Sequence, residues 1–165
     1  MAGDAVILNR GDAGFVEDEG PSGETDIYPG HVLELDDNGD FVKSSVEDGT
    51  GRGHVVGLPF DPYLEKGEDV TDGTVGEQLR VFIVGVGGRF DGRLAAGADL
   101  TNNGDANVSP GDTLKEVNEG ALAAHSSATE NTADGPLYMA LEAVDNSGAA
   151  AGVENQTPIE VVRIA

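Results

Sequence analysis

The sequence HVLELDDNGDFVK, residues 31–43, decides the fold. Apolar and polar residues alternate on both sides of Asn38-Gly39, a pair that is the strongest short signal for a two-residue hairpin turn, because both residues accept a positive φ. Alternation at a period of two places one face of a strand in a core and the other in solvent. We therefore predict two short antiparallel strands, His31–Leu35 and Phe41–Lys43, joined by a tight turn.

The same arrangement recurs 81 residues later, as DTLKEVNEGALAA in residues 112–124. The matches need no gap: Pro29-Gly30 with Pro110-Gly111, Leu33 with Leu114, Gly39 with Gly120, Phe41 with Leu122, and Val81-x-Ile83 with Val162-x-Ile164. Residues 112–124 alone could pass for a weak helix, but the match favours a second hairpin, Thr113–Val117 and Ala121–Ala124, turning at Glu119-Gly120. We interpret the offset as an internal repeat. The match weakens where Leu35 aligns with Glu116.

Further strands are predicted where short Val-, Ile- and Leu-rich runs are bounded by Gly, Pro, Asn and Asp. They are Ala5–Leu8, His54–Phe60, Leu79–Val86, Pro136–Val144 and Ile159–Ile164. The good helical signal is a single turn at Asp61–Gly67, with Asp61 as cap and Pro62 at the first helical position. The small-residue tract 146–152 is expected to be a mobile loop.

These elements predict an all-β fold, a small barrel or sandwich with at most one or two short helical turns. Residues 1–22 are expected to form an N-terminal arm. Residues 23–165 are expected to form one β-barrel domain built from two repeats, about 23–90 and about 104–165.

Charge narrows the classes of partner. The chain of 165 residues has 31 Asp and Glu against 9 Lys and Arg, a formal net charge of −22. Binding nucleic acid needs clustered Lys and Arg against phosphate, so this composition argues against it as a direct partner. At about 1 M salt the screening length is only about 3 Å, and the composition favours a protein adapted to high salt. The alternative is an ordinary acidic protein that charge keeps soluble.

Other classes are disfavoured by what the sequence lacks. There is no cysteine, which excludes disulfides and thiolate chemistry. The apolar runs are too short for a membrane span, and no secretory signal pattern is visible. We therefore expect no membrane partner.

Candidate reactive residues are few. His31 and His54 both open predicted strands, and a role as ordinary strand-edge residues is favoured over the alternative, a shared metal site. Loops beginning at Glu34 and Asp99 resemble calcium loops but lack the bidentate Glu at position twelve, so turns are expected, with weak cation binding as the alternative. Gly85–Phe90 lacks the third glycine and the helix of a dinucleotide motif. We expect no catalytic residues, no metal, no cofactor and no enzymatic activity.

The apolar run Ala5–Leu8 precedes a polar, acidic stretch, Asn9–Ser22. A short strand on such a tether can add to the sheet edge of another chain. Pairing within its own barrel is the alternative, and it is slightly favoured.

Four segments of the first repeat follow in a recognisable order: Pro29–Leu35, Gly39–Val42, Asp48–Leu58 and Leu79–Phe90. This order resembles the head-decoration, or capsid cement, proteins of tailed double-stranded DNA viruses. The resemblance implies a small barrel (a β-tulip) that trimerises, sits at three-fold and quasi-three-fold positions outside an assembled icosahedral shell, and stabilises it. The implied partners are the major capsid protein and further copies of this chain. The implied location is the outer surface of the virion, after synthesis in the host cytoplasm. With the acidic composition, the implied source is a virus of a salt-loving archaeon.

The resemblance also implies capsid contacts. In that family the N-terminal arm often grips the shell, which would give this role to Val6, Ile7 and Leu8. Exposed loop aromatics are the other expected anchors, namely Phe15, Tyr28 and Tyr63. Two alternatives stay open: another virion or cell-surface β module, such as a tail, fibre or glycan-binding component, and a salt-adapted ligand-binding barrel or small enzyme.

Overall fold

A computed structural model of the chain describes residues 7–9, 15–44, 57–60, 69–100, 104–125 and 137–165. The strands are β1 (Ile7–Asn9), β2 (Phe15–Pro21), β3 (Leu33–Leu35), β4 (Phe41–Lys43), β5 (Gly57–Phe60), β6 (Gln78–Val84), β7 (Arg89–Leu94), β8 (Asn107–Val108), β9 (Thr113–Glu116), β10 (Leu122–Ala124), β11 (Tyr138–Ala140), β12 (Val144–Asp145) and β13 (Thr157–Arg163). Within the described residues the only helical elements are two 3-10 turns, Gly97–Asp99 and Val153–Asn155. The predicted all-β class is confirmed. The predicted turn at Asp61–Gly67 lies outside the described residues.

The second half of the chain closes into a five-stranded barrel, here called the C-terminal barrel. Its strands follow the order β7-β10-β9-β11-β13, and β13 pairs back onto β7. The β7–β13 ladder is antiparallel and long, from Thr157 opposite Leu94 to Val162 opposite Arg89. The contact of β10 with β7 is parallel and consists of a single pair, Leu122 with Leu94.

The first half forms a second five-stranded sheet, here called the N-terminal sheet, in the order β2-β6-β5-β3-β4. It curls until its edges meet, because a parallel bridge joins Ser22, directly after β2, to Phe41 in β4. β2 lies antiparallel to β6 along its whole length, from Phe15 opposite Val84 to Pro21 opposite Gln78.

The two hairpins have matching registers. β3 and β4 pair Leu33 with Lys43, and β9 and β10 pair Leu114 with Ala124, 81 residues later in each case. The last strands do not keep this offset. Pro59 in β5 faces Val81, whereas Ala140 in β11 faces Val161. The structural counterpart of Val81 is therefore Val161, and the expected match with Val162 is wrong by one residue.

The apolar cores of the two halves meet at β6. Leu79 and Val81 lie in the core of the N-terminal sheet, together with Ile27, Leu33 and Phe41. Phe82 and Val84 belong instead to the larger core of the C-terminal barrel, around Phe90, Leu114 and Tyr138. Because side chains of a strand alternate between its faces, one strand can contribute to both cores.

Three expectations differ from the structure. Residues 15–21, expected in the arm, form a full strand of the N-terminal sheet. β7 was not predicted at all. The tract 146–152 was expected to be mobile but is held in place, since the Asn146 side chain donates to the carbonyl oxygens of Ala95 and Asn155, each at 3.0 Å.

Candidate functional site

The most elaborate polar arrangement in the described residues lies where the N-terminal sheet meets the C-terminal barrel. We call it the junction, and its main residues are Tyr28, Gly30, His31, Val32, Lys43 and Ser44 from the first half, with Arg93, Glu116, Glu119, Gly120, Tyr138 and Gln156 from the second. His31, Lys43, Ser44, Arg93, Glu116 and Gln156 are all buried. Buried polar groups are costly unless paired, so the partners of these side chains define what the junction does.

The junction begins with the turn before β3. The His31 amide donates to the Tyr28 carbonyl at 3.1 Å, and His31 Nδ1 accepts from the Tyr28 amide at 2.9 Å. Gly30 has a φ of 94°, and a Cβ there would lie 2.6 Å from the Asp91 carbonyl oxygen. The Pro-Gly sequence is therefore required both for the turn and for its close approach to β7.

His31 is fully buried and links the two halves directly. Its Nε2 lies 2.7 Å from Gln156 Oε1. Since Nδ1 accepts, Nε2 carries the proton and donates to the amide oxygen, a neutral tautomer that satisfies both nitrogens. Burial and, to a smaller extent, the nearby Arg93 charge lower the pKa of His31 to about 3. Both ring nitrogens are occupied by hydrogen bonds, which argues against His31 as a metal ligand. His54, its suggested partner, lies outside the described residues.

A second link surrounds the Glu116 carboxylate. Tyr138 donates its hydroxyl to Glu116 Oε1 at 2.9 Å, and Ser44 donates to Oε2 at 3.3 Å. Burial raises the pKa of Tyr138 well above its usual value, and the adjacent Glu116 charge acts in the same direction. Ser44 belongs to the first half and Glu116 to the second, so this carboxylate too connects the halves.

A third link combines an ion pair and backbone hydrogen bonds. Lys43 Nζ lies 2.9 Å from Glu119 Oε2 at the tip of the β9–β10 hairpin. At that tip the Val32 amide donates to the Gly120 carbonyl at 2.8 Å, and the Gly120 amide donates to the Ser44 carbonyl at 3.0 Å. The tip of one hairpin is thus fastened to the base of the other.

Arg93 completes the junction. Its guanidinium carbon lies 5.1 Å from the centre of the Tyr28 ring, and one guanidinium nitrogen donates to the Gln156 carbonyl at 3.0 Å. Burial lowers the pKa of Arg93. Taken together, the buried ionisable side chains form cross-links between the halves, and the arrangement fixes their relative orientation.

Four of the six residues expected to contact a capsid lie in the described residues, on β1, on β2 and in the turn before β3. Ile7 and Leu8 lie in β1, which pairs within the chain, with Ile7 opposite Phe90. Phe15 begins β2 and is not in a loop. Tyr28 is half-buried, its ring edge-on to His31 with centroids 5.7 Å apart, so its expected exposure is wrong. Val6 and Tyr63 lie outside the described residues.

The loops with partial cation or phosphate motifs form turns. Asp36 Oδ1 accepts from the Asn38 amide at 2.7 Å and the Asp40 amide at 2.9 Å, and these backbone hydrogen bonds lower the pKa of Asp36. Gly88 donates to the Gly85 carbonyl at 3.0 Å in the turn that leads into β7. Part of the loop that begins at Asp99 lies outside the described residues. In the described ranges there is no group of three or more His, Cys, Asp or Glu side chains placed to hold a metal ion.

Sequence reasoning missed Glu116, Tyr138 and Gln156. A signal for Glu116 was present, because it breaks the repeat where Leu35 stands in the first hairpin. A charged residue at a position of alternating burial indicates a special partner. No comparable signal marks Gln156, whose role depends on a residue 125 positions away.

No protein-family model matches the chain, and no curated protein is significantly similar to it. Within the part of the chain that the structure describes, no helix combines the length and the apolar character needed to cross a bilayer.

Proposed function

We propose that the protein is a capsid decoration protein, which binds the outside of an assembled icosahedral viral shell and stabilises it. In this proposal it acts as a trimer at three-fold and quasi-three-fold positions, and its partner is the major capsid protein. It is not an enzyme, and its work is mechanical.

The observation that carries the proposal is the junction. Three separate links, through the buried side chains of His31, Glu116 and Lys43, hold the two halves in one orientation. A protein that braces a shell must transmit force between its contact points without deforming, and buried hydrogen-bonded networks make a fold more rigid. The resemblance of residues 29–90 to capsid cement proteins supports the same function.

Stabilisation follows from linkage. A protein that binds assembled shell and not free subunits shifts the equilibrium toward the shell. Several contacts made at once reinforce each other through effective concentration, so that each can be modest. A specific site of this kind buries at least about 1,000 Å².

The acidic composition supports a setting of high salt. In concentrated salt, charge steering is weak, so apolar and backbone contacts supply the affinity. The proposed setting is a virus that infects a salt-loving archaeon.

Virions that lack the gene for this chain test the proposal. Particles without the protein are expected to release their genome at lower temperature than wild-type particles, and purified protein added back should restore the difference. Cryo-microscopy should show the added density on the outer shell. Unchanged heat resistance, or density confined to a tail or fibre, would overturn the proposal.

A further inference from the structure

The halves of the chain meet head to tail and not face to face. The first half contributes the turn before β3 and the residue after β4, represented by His31 and Ser44. The second half contributes the tip of its hairpin, Glu119 and Gly120. A heterologous contact between two similar units leaves each unit with one unused face.

The unused faces can be identified from the matching registers. The first is the tip of the β3–β4 hairpin, residues 35–40, which corresponds to the tip of the β9–β10 hairpin, where Gly120 is buried; we call it the tip face. The second comprises residues 109–112, Ala124 and Ile164, which correspond to residues 28–31, Lys43 and Val84; we call it the turn face. The backbone is alike, since Ser109 accepts a hydrogen bond from Asp112 at 3.1 Å just as Tyr28 does from His31.

The residues of the unused faces differ in burial from their counterparts in the junction. Pro29, Gly30 and His31 are buried, whereas residues 110–112 are exposed. A Cβ added at Gly120 would meet the Val32 carbonyl at 2.8 Å, but one at Gly39 would meet nothing within 4 Å. The unused faces are therefore solvent-exposed copies of the surfaces that contact each other in the junction.

Exposed apolar side chains also lie on these faces. Leu35 is 40% exposed and is the counterpart of buried Glu116. Ile164 is 38% exposed and is the counterpart of Val84, which is fully buried in the core of the C-terminal barrel. Exposed apolar groups that recur at counterparts of a buried contact indicate a surface with a partner.

Charge distinguishes the open faces from the junction. In the junction Lys43 meets Glu119, but the counterparts of these residues are Ala124 and Asn38. The tip face instead carries Asp36, Asp37 and Asp40, and the turn face carries Asp112. Like charges would oppose each other across a contact in dilute buffer, where the screening length is about 10 Å, and much less at about 1 M salt.

We propose that the tip face of one copy of this chain docks on the turn face of a second copy, head to tail, and that the contact forms in concentrated but not in dilute salt. The partner is a second copy because the complementary surface is already present on the same chain, joined to its counterpart in the junction. The proposal requires no capsid, so it can fail or succeed independently of the proposed function.

Sedimentation velocity of the full chain tests the contact in KCl at about 1 M and at the lowest concentration that preserves its circular dichroism. Self-association is expected in the first condition and monomers in the second. Leu35→Asp and Ile164→Asp should each weaken association by about tenfold or more, as expected for a charge in an apolar contact. Val86→Asp is the matched control, since Val86 is 62% exposed and lies on neither face. It should change association less than twofold.

Mixing gives a test specific to head-to-tail geometry. A Leu35→Asp copy keeps its turn face and an Ile164→Asp copy keeps its tip face, so the mixture should form a one-to-one complex that neither variant forms alone. A further variant, Asn38→Glu with Ala124→Lys, recreates the Lys43–Glu119 pair across the open faces and should associate at lower salt than the wild type. Wild-type monomers in concentrated salt, or equal effects of Val86→Asp and Ile164→Asp, would overturn the proposal.

Discussion

The hairpin tips at Asn38-Gly39 and Glu119-Gly120 have the same closing hydrogen bond and opposite surroundings, although Glu119 has a positive φ and Asn38 does not. Both glycines have a positive φ, 86° and 65°, and both turns are closed by a 2.9 Å hydrogen bond, from Asp36 to Asp40 and from Val117 to Ala121. The first tip is exposed, whereas Gly120 in the second is buried against the first half of the chain. Local sequence sets the turn, and the position in the fold sets how much the turn contributes to stability.

Alanine substitutions at the two glycines should show the largest difference. Both variants incur about 1–2 kcal/mol for a left-handed backbone with a Cβ. Gly120→Ala also forces its Cβ to 2.8 Å from the Val32 carbonyl, while Gly39→Ala meets open space. We expect Gly120→Ala to reduce the free energy of unfolding by about 2 kcal/mol more than Gly39→Ala, as overpacking does. Denaturant titration followed by circular dichroism measures both.

Gly30 and Gly111 provide a control pair with φ of 94° and 92°. Only Gly30 has a backbone neighbour within reach of an added Cβ, the Asp91 carbonyl at 2.6 Å. The same inequality should therefore hold there. Equal losses of unfolding free energy within either pair would contradict this prediction, because they would mean that the backbone of the junction shifts to accommodate the added Cβ.

The next largest effect is expected in the pH dependence of the free energy of unfolding. The folded-state pKa of His31, about 3, lies below the ordinary value of 6.5, so the unfolded chain binds the proton first as the pH falls. The stability that neutral His31 contributes is complete above about pH 6.5 and is lost progressively toward pH 3. Between pH 7 and pH 4 the wild type should lose about 3 kcal/mol more than His31→Asn.

Asp112→Asn is the matched comparison for that experiment, because Asp112 is the exposed counterpart of His31. Its acid profile should resemble that of the wild type through the His31 window. If His31→Asn and the wild type lost the same stability between pH 7 and pH 4, the histidine would be hydrated rather than buried.

A smaller effect is expected at the Glu116 carboxylate. Tyr138→Phe removes the 2.9 Å hydrogen bond and leaves a buried charge with one donor fewer, which costs about 1–3 kcal/mol. Ser44→Ala removes the longer bond of 3.3 Å and should cost less. Thermal unfolding of both variants measures the order, and the reverse order would show that Ser44, the link between the halves, is the stronger donor.

The smallest effects are expected from ion pairs. Lys43→Met should cost about 1 kcal/mol, because Lys43 is buried and pairs with Glu119 at 2.9 Å. Arg80→Met breaks an exposed contact with Glu19 at 3.5 Å and should cost less than about 0.5 kcal/mol. Urea titration at two salt concentrations checks this, since Arg80–Glu19 is exposed on both sides and should be screened more strongly than Lys43–Glu119, in which only Glu119 is exposed. A larger loss for Arg80→Met would contradict the ranking.

Much of the fold could be predicted from local signals, and the failures have a common physical cause. The hairpin at Asn38-Gly39 and the strand β6 depend on neighbours in sequence, and both were found, although Gly39 but not Asn38 has the positive φ expected for a two-residue turn. β2 and β7 were missed because FVEDEGP and RFDGRL contain charges and glycine within the strand. In β7, Asp91 and Arg93 are buried because the other half of the chain covers them. Tertiary context of this kind overrides strand propensity.

The candidate site was harder to predict than the fold. Tyr28 was expected to be an exposed aromatic, but its ring packs edge-on to His31 and is covered by Arg93, which belongs to the unpredicted strand β7. His31 was correctly favoured as a structural histidine, yet its partner Gln156 has no local pattern. Pairings across the junction depend on how the two halves dock, which no short window of sequence contains.

Because both faces of β6 are buried, unfolding of the two halves is coupled. Leu79 and Val81 anchor one core, and Phe82 and Val84 anchor the other, within seven consecutive residues. If β6 detaches, the apolar cores of both halves become exposed to solvent together. Neither half therefore has an independent melting temperature. Heat or acid should therefore unfold the protein in one cooperative transition, without a populated intermediate in which one half stays folded.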